Sequence, residues 1–160
     1  MSNTSRTIRA TTTIEAPAED IFEVLIDPAK HADIDGTGWV CDPLDRQPLM
    51  APGQVFRMSM YHPGHPNGNY EIANRVEVYE APHAISWKPG YAAAGGSLAF
   101  GGWIWRYDLA SLGPSATEVI LTYDWSAVPE EVLRRQDRWP PFSADHLDNS
   151  LTHLADLVLA

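Results

Sequence analysis

The stretch that decides the fold runs from Ile14 to Pro28 and has the sequence IEAPAEDIFEVLIDP. A strand-like run rich in β-branched residues, 7–15, leads into it. Pro17 suits the first turn of a helix, where its missing N–H removes no hydrogen bond. Apolar residues then recur at helical spacing, at Ile21, Phe22, Leu25 and Ile26. We therefore predict a strand, a helix closed at Pro28 and a second short helix that ends near Asp33.

The other end of the chain predicts one long amphipathic helix over residues 143–159, with Ser143 as its expected N-cap. The apolar stripe expected on its buried face consists of Leu147, Leu151, Leu154 and Val158. Nearly everything between the two ends has the pattern of strands and turns. This layout indicates a sheet that grips one helix, with space between the two layers for a small apolar molecule.

The strands between the two ends are predicted from the alternation of apolar and polar residues. They cover residues 39–44, 54–62, 70–80, 84–88, 103–109 and 118–126. Together with the first strand they make about seven antiparallel strands. In segment 70–80 the inward face is expected to consist of Tyr70, Ile72, Asn74, Val76 and Val78. Residues 89–102 are rich in small side chains, and they predict either a lid or a hairpin.

Composition and charge narrow the classes of function. The 160 residues suit one domain, 1–160. A formal charge of −10 repels phosphate backbones, so we expect no nucleic-acid partner. No run approaches the ~18 apolar residues of a membrane helix, and no apolar signal region follows the N-terminus, so we predict no membrane insertion and a cytoplasmic location. Cys41 is the only cysteine, which excludes an intrachain disulfide.

The expected inward faces supply the candidate ligand-binding residues. Aromatic walls are common in apolar pockets, and methionines adapt to irregular ligands. The candidates are Met58, Met60, Ile72, Asn74, Trp87, Trp103, Trp105, Tyr107, Tyr123, Leu147 and Leu151. Asn74 is the polar member of an apolar strand face, and a buried amide needs partners. It is either a structural hydrogen-bond hub or an anchor for the ligand.

No Ser/His/Asp arrangement or pair of catalytic carboxylates can be recognised from spacing. The candidate catalytic groups are therefore the titratable side chains expected on inward faces, which are His62, Tyr70, Tyr107 and Tyr123. His62 and His65 are three residues apart, but their Pro- and Gly-rich setting favours a turn over a metal site. His146 and His153 are expected toward the exposed face of the last helix. We predict no metal and no cofactor.

Three stretches carry a resemblance to a known family: residues 14–28, residues 76–87 with Ala81-Pro82 and Trp87, and residues 147–159. The chain resembles the START/Bet v 1-like superfamily (SRPBCC), and within it the polyketide cyclase/dehydrase and lipid-transport group. The resemblance implies an α+β helix-grip fold. In that fold a curved seven-stranded antiparallel sheet surrounds a long C-terminal helix and a ligand cavity, with two short helices after strand 1. Residues 89–102 and 134–142 are longer than the family pattern and are expected near the cavity mouth.

Three functions are compatible with this resemblance. The first is the binding of a small hydrophobic ligand that is lipid-, polyketide- or aromatic-like. The second is a polyketide cyclase- or dehydratase-type enzyme that uses a cavity histidine or tyrosine. The third is a protein-interaction module of the chaperone-activator or toxin-like type, which needs a filled core and an exposed apolar patch. The sequence also leaves a homodimer open.

Overall fold

The computed structural model of the protein describes residues 6–63, 68–92, 97–135, 139–143 and 145–160. Within these ranges the chain forms eight β-strands, four α-helices and one 3-10 turn. The strands are β1 Thr7–Ile14, β2 Val40–Pro43, β3 Val55–Tyr61, β4 Asn69–Glu80, β5 Ala84–Ala92, β6 Leu98–Phe100, β7 Ile104–Gly113 and β8 Ala116–Asp124. The helices are α1 Ala18–Leu25, α2 His31–Asp35, α3 Glu130–Arg135 and α4 His146–Leu159, and the 3-10 turn is Pro28–Lys30.

All eight strands belong to one antiparallel sheet. Its order is β1-β8-β7-β5-β4-β3-β2, and the short β6 pairs with β5 beside this path. β6 is an eighth strand, one more than the seven predicted. It forms a hairpin with β5, in which Gly90 pairs with Phe100. The tip of that hairpin lies outside the described residues. The predicted α+β helix-grip fold, with two short helices after β1, is confirmed.

The helices after β1 begin and end where the sequence places its prolines and glycine. α1 follows Pro17, and the side chain of Asp27 accepts a hydrogen bond from the backbone N–H of Ala29 at 3.0 Å, which starts the 3-10 turn at Pro28. α2 ends at Gly36, whose φ of 69° lies in the left-handed region that glycine adopts without strain. These breaks fold α1 and α2 back toward α4 at one end of the sheet.

A β-bulge changes which residues of β4 face inward. Val76 pairs with Trp87 but Val78 pairs with Ser86, so one extra residue enters β4 between them. Beyond the bulge it is Tyr79 that packs on the core, with its ring 5.4 Å from that of Phe22. The predicted inward position of Val78 is therefore wrong, because strict alternation does not survive a bulge.

The closing helix begins three residues later than predicted, at His146. The backbone N–H of His146 donates to the Ser143 carbonyl at 3.0 Å, so a separate turn precedes the helix and Ser143 is not its N-cap. Three members of the predicted stripe, Leu147, Leu151 and Leu154, are at most 2% exposed, and the fourth, Val158, is half-buried against the same core. The stripe packs with β1, α1 and α2 and forms the core at this end of the sheet.

Candidate functional site

A cavity of about 970 Å³ lies between the sheet and the helices α2 and α4. α4 packs closely on β1, β8, α1 and α2. Residues of β3, β4, β5 and β7 line the cavity, together with Leu121 and Tyr123 of β8. The helix therefore rests on one end of the curved sheet, and the middle strands stand away from it. The resulting volume is at the upper end of the range for small-molecule pockets, about 300–1,000 Å³.

Most of the predicted ligand-binding residues lie in the wall of this cavity. They are Met58, Met60, Ile72, Asn74, Trp87, Trp103, Trp105, Tyr107 and Tyr123. The predicted catalytic candidates His62 and Tyr70 also line it. Because successive side chains of a strand point to opposite faces, every second residue of the central strands reaches the same space. A role for these residues in binding or catalysis stays a prediction.

Leu147 and Leu151 lie elsewhere. Both are 2% exposed and belong to the hydrophobic core, and the cavity wall on α4 is formed by His146 and Ser150. The stripe at helical spacing packs on β1 and α1. The cavity borders the neighbouring face of the helix, whose residues each precede a stripe residue by one position. A stripe shows which face is most deeply buried, but it does not show which face borders a void.

Aromatic rings form two stacked groups in the wall. The Trp105 ring lies 4.5 Å from that of Tyr123 and stacks on Phe142 at 5.6 Å with an angle of 26° between planes. Across the cavity floor, His31 stacks on Trp87 at 5.0 Å and 19°. Flat ring faces of this kind suit planar molecules, which they contact by offset stacking.

Asn74 presents a buried polar group in this apolar wall. It is 3% exposed, and within the described residues its carboxamide oxygen accepts no hydrogen bond. Its neighbours across the adjacent strands are Phe56 and Pro89, and neither side chain carries a donor. A buried acceptor without a donor destabilises a protein by about 1–3 kcal/mol. The oxygen has almost no surface open to the empty cavity, so the structural hub and the ligand anchor both stay open.

The cavity tyrosines are hydrogen-bond donors rather than bases. Burial raises the pKa of Tyr107 and of Tyr123 well above the ordinary value. The indole N–H of Trp139 lies near the Tyr123 hydroxyl and opposes part of this increase, although the two groups do not reach hydrogen-bond geometry. Burial also raises the pKa of Tyr70. All three hydroxyls therefore keep their protons near neutral pH.

His62 occupies the rim of β3, where its ring lies 4.7 Å from that of Trp39. His65, the second member of the pair considered for metal binding, lies outside the described residues. Within the ranges that the structure describes, no three His, Cys, Asp or Glu side chains come together as metal ligands would. In the same ranges no helix is long and apolar enough to cross a bilayer.

Asp35 and His146 form a pair that the sequence did not predict. The Nε2 atom of His146 lies 3.5 Å from Asp35 Oδ1, and both side chains line the cavity. His146 is 8% exposed, so its expected exposure is wrong. Burial lowers the pKa of His146, and the charge of Asp35 opposes that decrease. No local pattern could reveal the pair, because only the packing of α2 on α4 brings it together.

Both segments expected near the mouth contribute to the wall. Trp139, Pro141 and Phe142 come from the approach to α4, and Gly90 and Tyr91 come from the β5–β6 hairpin. Tyr91 is 54% exposed, which places it where the cavity meets solvent.

The comparisons with known sequences give little identity. No family model matches the chain. An uncharacterized protein of Mycobacterium tuberculosis, Rv0088, is 28% identical over 114 residues, which are 71% of this chain and 45% of that protein. The chain thus spans less than half the length of this curated relative.

Solved structures define the class of fold. A norcoclaurine synthase point mutant from Thalictrum flavum, in complex with a transition-state analogue, matches with a TM-score of 0.62 and 16% identity over 99% of this chain and 97% of that one. An aromatase/cyclase from Streptomyces sp. R1128 matches with a TM-score of 0.61 and 17% identity over 96% and 93%. The chain therefore has the START/Bet v 1-like (SRPBCC) fold, as its resemblance predicted.

Proposed function

We propose that this protein binds a small hydrophobic, partly aromatic molecule in the cavity between α4 and the sheet. The observation that carries the proposal is the cavity of about 970 Å³, whose wall consists largely of aromatic rings and methionines. Apolar surface buried there contributes about 25 cal/mol per Å² before the losses that accompany binding. Lipid-, polyketide- and aromatic-like ligands all fit this chemistry, and the stacked rings favour the polyketide- and aromatic-like classes.

Asn74 supports an orientation for the ligand. Its buried carboxamide oxygen lacks a donor within the described residues, so a ligand hydroxyl or N–H that reaches it through a small side-chain movement would satisfy this group. The proposed ligand therefore carries a hydrogen-bond donor on an otherwise apolar frame.

The second candidate function is a polyketide cyclase- or dehydratase-type enzyme. It is favoured by the position of His62, Tyr70, Tyr107 and Tyr123, which all line the cavity. One solved structure of the same fold is named an aromatase/cyclase. The raised pKa values of Tyr107 and Tyr123 suit them to donate hydrogen bonds to a substrate oxygen rather than to act as bases.

The interaction-module hypothesis receives less support, because it needs a filled core in place of the cavity. A cytoplasmic location and the absence of a nucleic-acid partner remain predictions from composition, and a homodimer remains open.

The test blocks the cavity from α4 and measures binding of the neutral dye N-phenyl-1-naphthylamine, whose emission rises in apolar surroundings. Ser150→Phe adds a ring to the cavity wall, because Ser150 is 4% exposed and lines the cavity. Thr152→Phe is the matched control, because Thr152 is exposed on the same helix. Overpacking at Ser150 costs about 1–3 kcal/mol of stability, so unfolding is measured in parallel.

We expect the wild type and Thr152→Phe to bind the dye with equal affinity and Ser150→Phe to bind it at least tenfold more weakly (about 1.4 kcal/mol). Equal affinities of all three folded proteins would place the dye outside the cavity. Failure of the wild type to bind any of a panel of planar aromatic molecules would contradict the proposed function.

A further inference from the structure

We propose that Asp35 and His146 form an acid–base pair that removes the proton from an ionisable hydroxyl group, a phenol or an enol, of the molecule held in the cavity. The inference rests on the proposed binding function and adds a chemical class to it. Both side chains line the cavity, and neither belongs to the catalytic candidates predicted from the strand faces.

Local structure fixes the Asp35 carboxylate at the end of α2. Gly36 ends the helix in the left-handed region, with φ at 69°. The backbone N–H of Thr37 donates to Asp35 Oδ2 at 3.1 Å, and the Thr37 hydroxyl donates to the same oxygen. The other oxygen, Oδ1, is the one that lies 3.5 Å from His146 Nε2.

The junction of α2 and α4 is held by a second histidine. His153 Nδ1 donates a hydrogen bond to the Ile34 carbonyl at 3.0 Å. A Cβ atom at Gly36 would lie 2.3 Å from His153 Cε1, so a larger residue would displace this ring from its contact with Ile34. The separation of Asp35 and His146 is therefore set by contacts that involve the backbone, which is what a pre-organised pair requires.

The surroundings of His146 are largely apolar. Phe142 lies 4.8 Å from its ring, and the edge of Trp105 lies at 5.9 Å. The charged or titratable groups that act on it are Asp35 from α2 and His153 from its own helix. Burial has the largest effect and lowers the pKa of His146, so the ring is neutral near neutral pH and ready to accept a proton.

The pair can perform a balanced proton transfer. In the proposed tautomer Nε2, which faces the Asp35 carboxylate, carries the proton, and the lone pair of Nδ1 is offered to the ligand. The O–H bond of the ligand breaks, an Nδ1–H bond forms, and the electron pair stays on the ligand oxygen. The imidazolium of His146 is then stabilised by the Asp35 carboxylate, and the total charge does not change.

The cavity tyrosines suit the other half of this step. Burial, with a smaller contribution from the Asp35 charge, raises the pKa of Tyr107 and of Tyr70. Burial likewise raises the pKa of Tyr123. Hydroxyls that keep their protons can donate hydrogen bonds to the oxyanion that His146 creates.

The test uses 4-nitrophenol, whose neutral and ionised forms absorb at different wavelengths. An apolar cavity without a base would raise the pKa of the bound phenol, because burial disfavours the charged form. An acid–base pair would oppose this increase, so the two hypotheses differ in the effect of removing His146. We expect the ratio of ionised to neutral probe on the wild type to exceed the ratio on His146→Gln about tenfold at the same pH, which is one pKa unit.

The variants His146→Gln and Asp35→Asn keep the size of each side chain and should lower the bound ratio below that of the wild type. The matched controls His83→Gln and Asp33→Asn alter exposed residues and should keep the wild-type ratio. Tryptophan quenching measures binding separately. A bound ratio that is equal in the wild type and His146→Gln, or a probe that does not bind while the neutral dye does, would overturn this proposal alone. Loss of binding of both molecules would overturn the proposed function and this inference together.

Discussion

Replacement of Asn74 by leucine should stabilise the fold and weaken the binding of ligands that carry a hydrogen-bond donor. Asn74 is 3% exposed, and its carboxamide oxygen lacks a donor within the described residues. Such a group destabilises a protein by about 1–3 kcal/mol, and a leucine of similar shape removes the unsatisfied oxygen. We therefore expect Asn74→Leu to raise the free energy of unfolding by about 1–3 kcal/mol.

The same substitution should discriminate between two ligands of nearly equal size. 2-Naphthol carries a hydrogen-bond donor, and 2-methoxynaphthalene keeps the oxygen but lacks the donor. A net hydrogen bond contributes about 0.5–1.5 kcal/mol, so Asn74→Leu should weaken 2-naphthol binding about 2- to 13-fold. The affinity for 2-methoxynaphthalene should stay within about twofold of the wild-type value, because this ligand has no O–H to donate to the Asn74 oxygen.

Chemical denaturation gives the stabilities, and titration of tryptophan emission gives both affinities. Asn69→Leu is the matched control, because Asn69 is exposed on the same strand and should change neither ligand's affinity. The outcome that refutes the reasoning is a variant destabilised by more than about 1 kcal/mol that loses both ligands equally. Asn74 would then be the structural hydrogen-bond hub that the sequence left open.

Two further predictions concern stability. Leu151→Ala should lower the free energy of unfolding by roughly 2–5 kcal/mol, because Leu151 is 2% exposed. The control is Leu159→Ala, at a position 59% exposed on the same helix. It should change the free energy of unfolding by under about 0.5 kcal/mol in the same denaturation experiment. Burial lowers the pKa of His31 below its ordinary 6.5, so the unfolded chain gains a proton that the native state does not. Stability should therefore fall as the pH drops below about 6.5, by up to about 1.4 kcal/mol per pH unit for this group, and His31→Gln should reduce that slope. An unchanged slope in denaturation curves measured from pH 7.5 to 5.5 would contradict the assignment.

Helices, strands and their inward faces follow from local pattern in this chain. The period of the α4 stripe identified Leu147, Leu151 and Leu154 as core, because residues at helical spacing must share one face wherever the helix packs. Alternation placed Trp103 and Trp105 on the same inward face for the corresponding reason. Interactions between neighbours in sequence suffice for such predictions.

Local pattern failed where a contact between distant segments decided the outcome. Because of the bulge in β4, Tyr79 faces inward in place of Val78. The bulge adds one residue to β4 opposite β5, and a pattern of strict alternation does not predict it. The late start of α4 has a local cause instead, because the N–H of His146 donates to the Ser143 carbonyl in a separate turn.

The sequence by itself determined the order of elements, the fold class and most of the cavity wall. Only the tertiary structure decided that the α4 stripe packs on β1 and α1 while the adjacent face borders the void. The same packing brings the end of α2 to the start of α4, and it creates the Asp35–His146 pair. The physical reason is that periodicity fixes where a side chain points relative to its own element. Which residues that side chain contacts depends on how two elements approach each other. Here α2 and α4 meet where Gly36 lies beside His153.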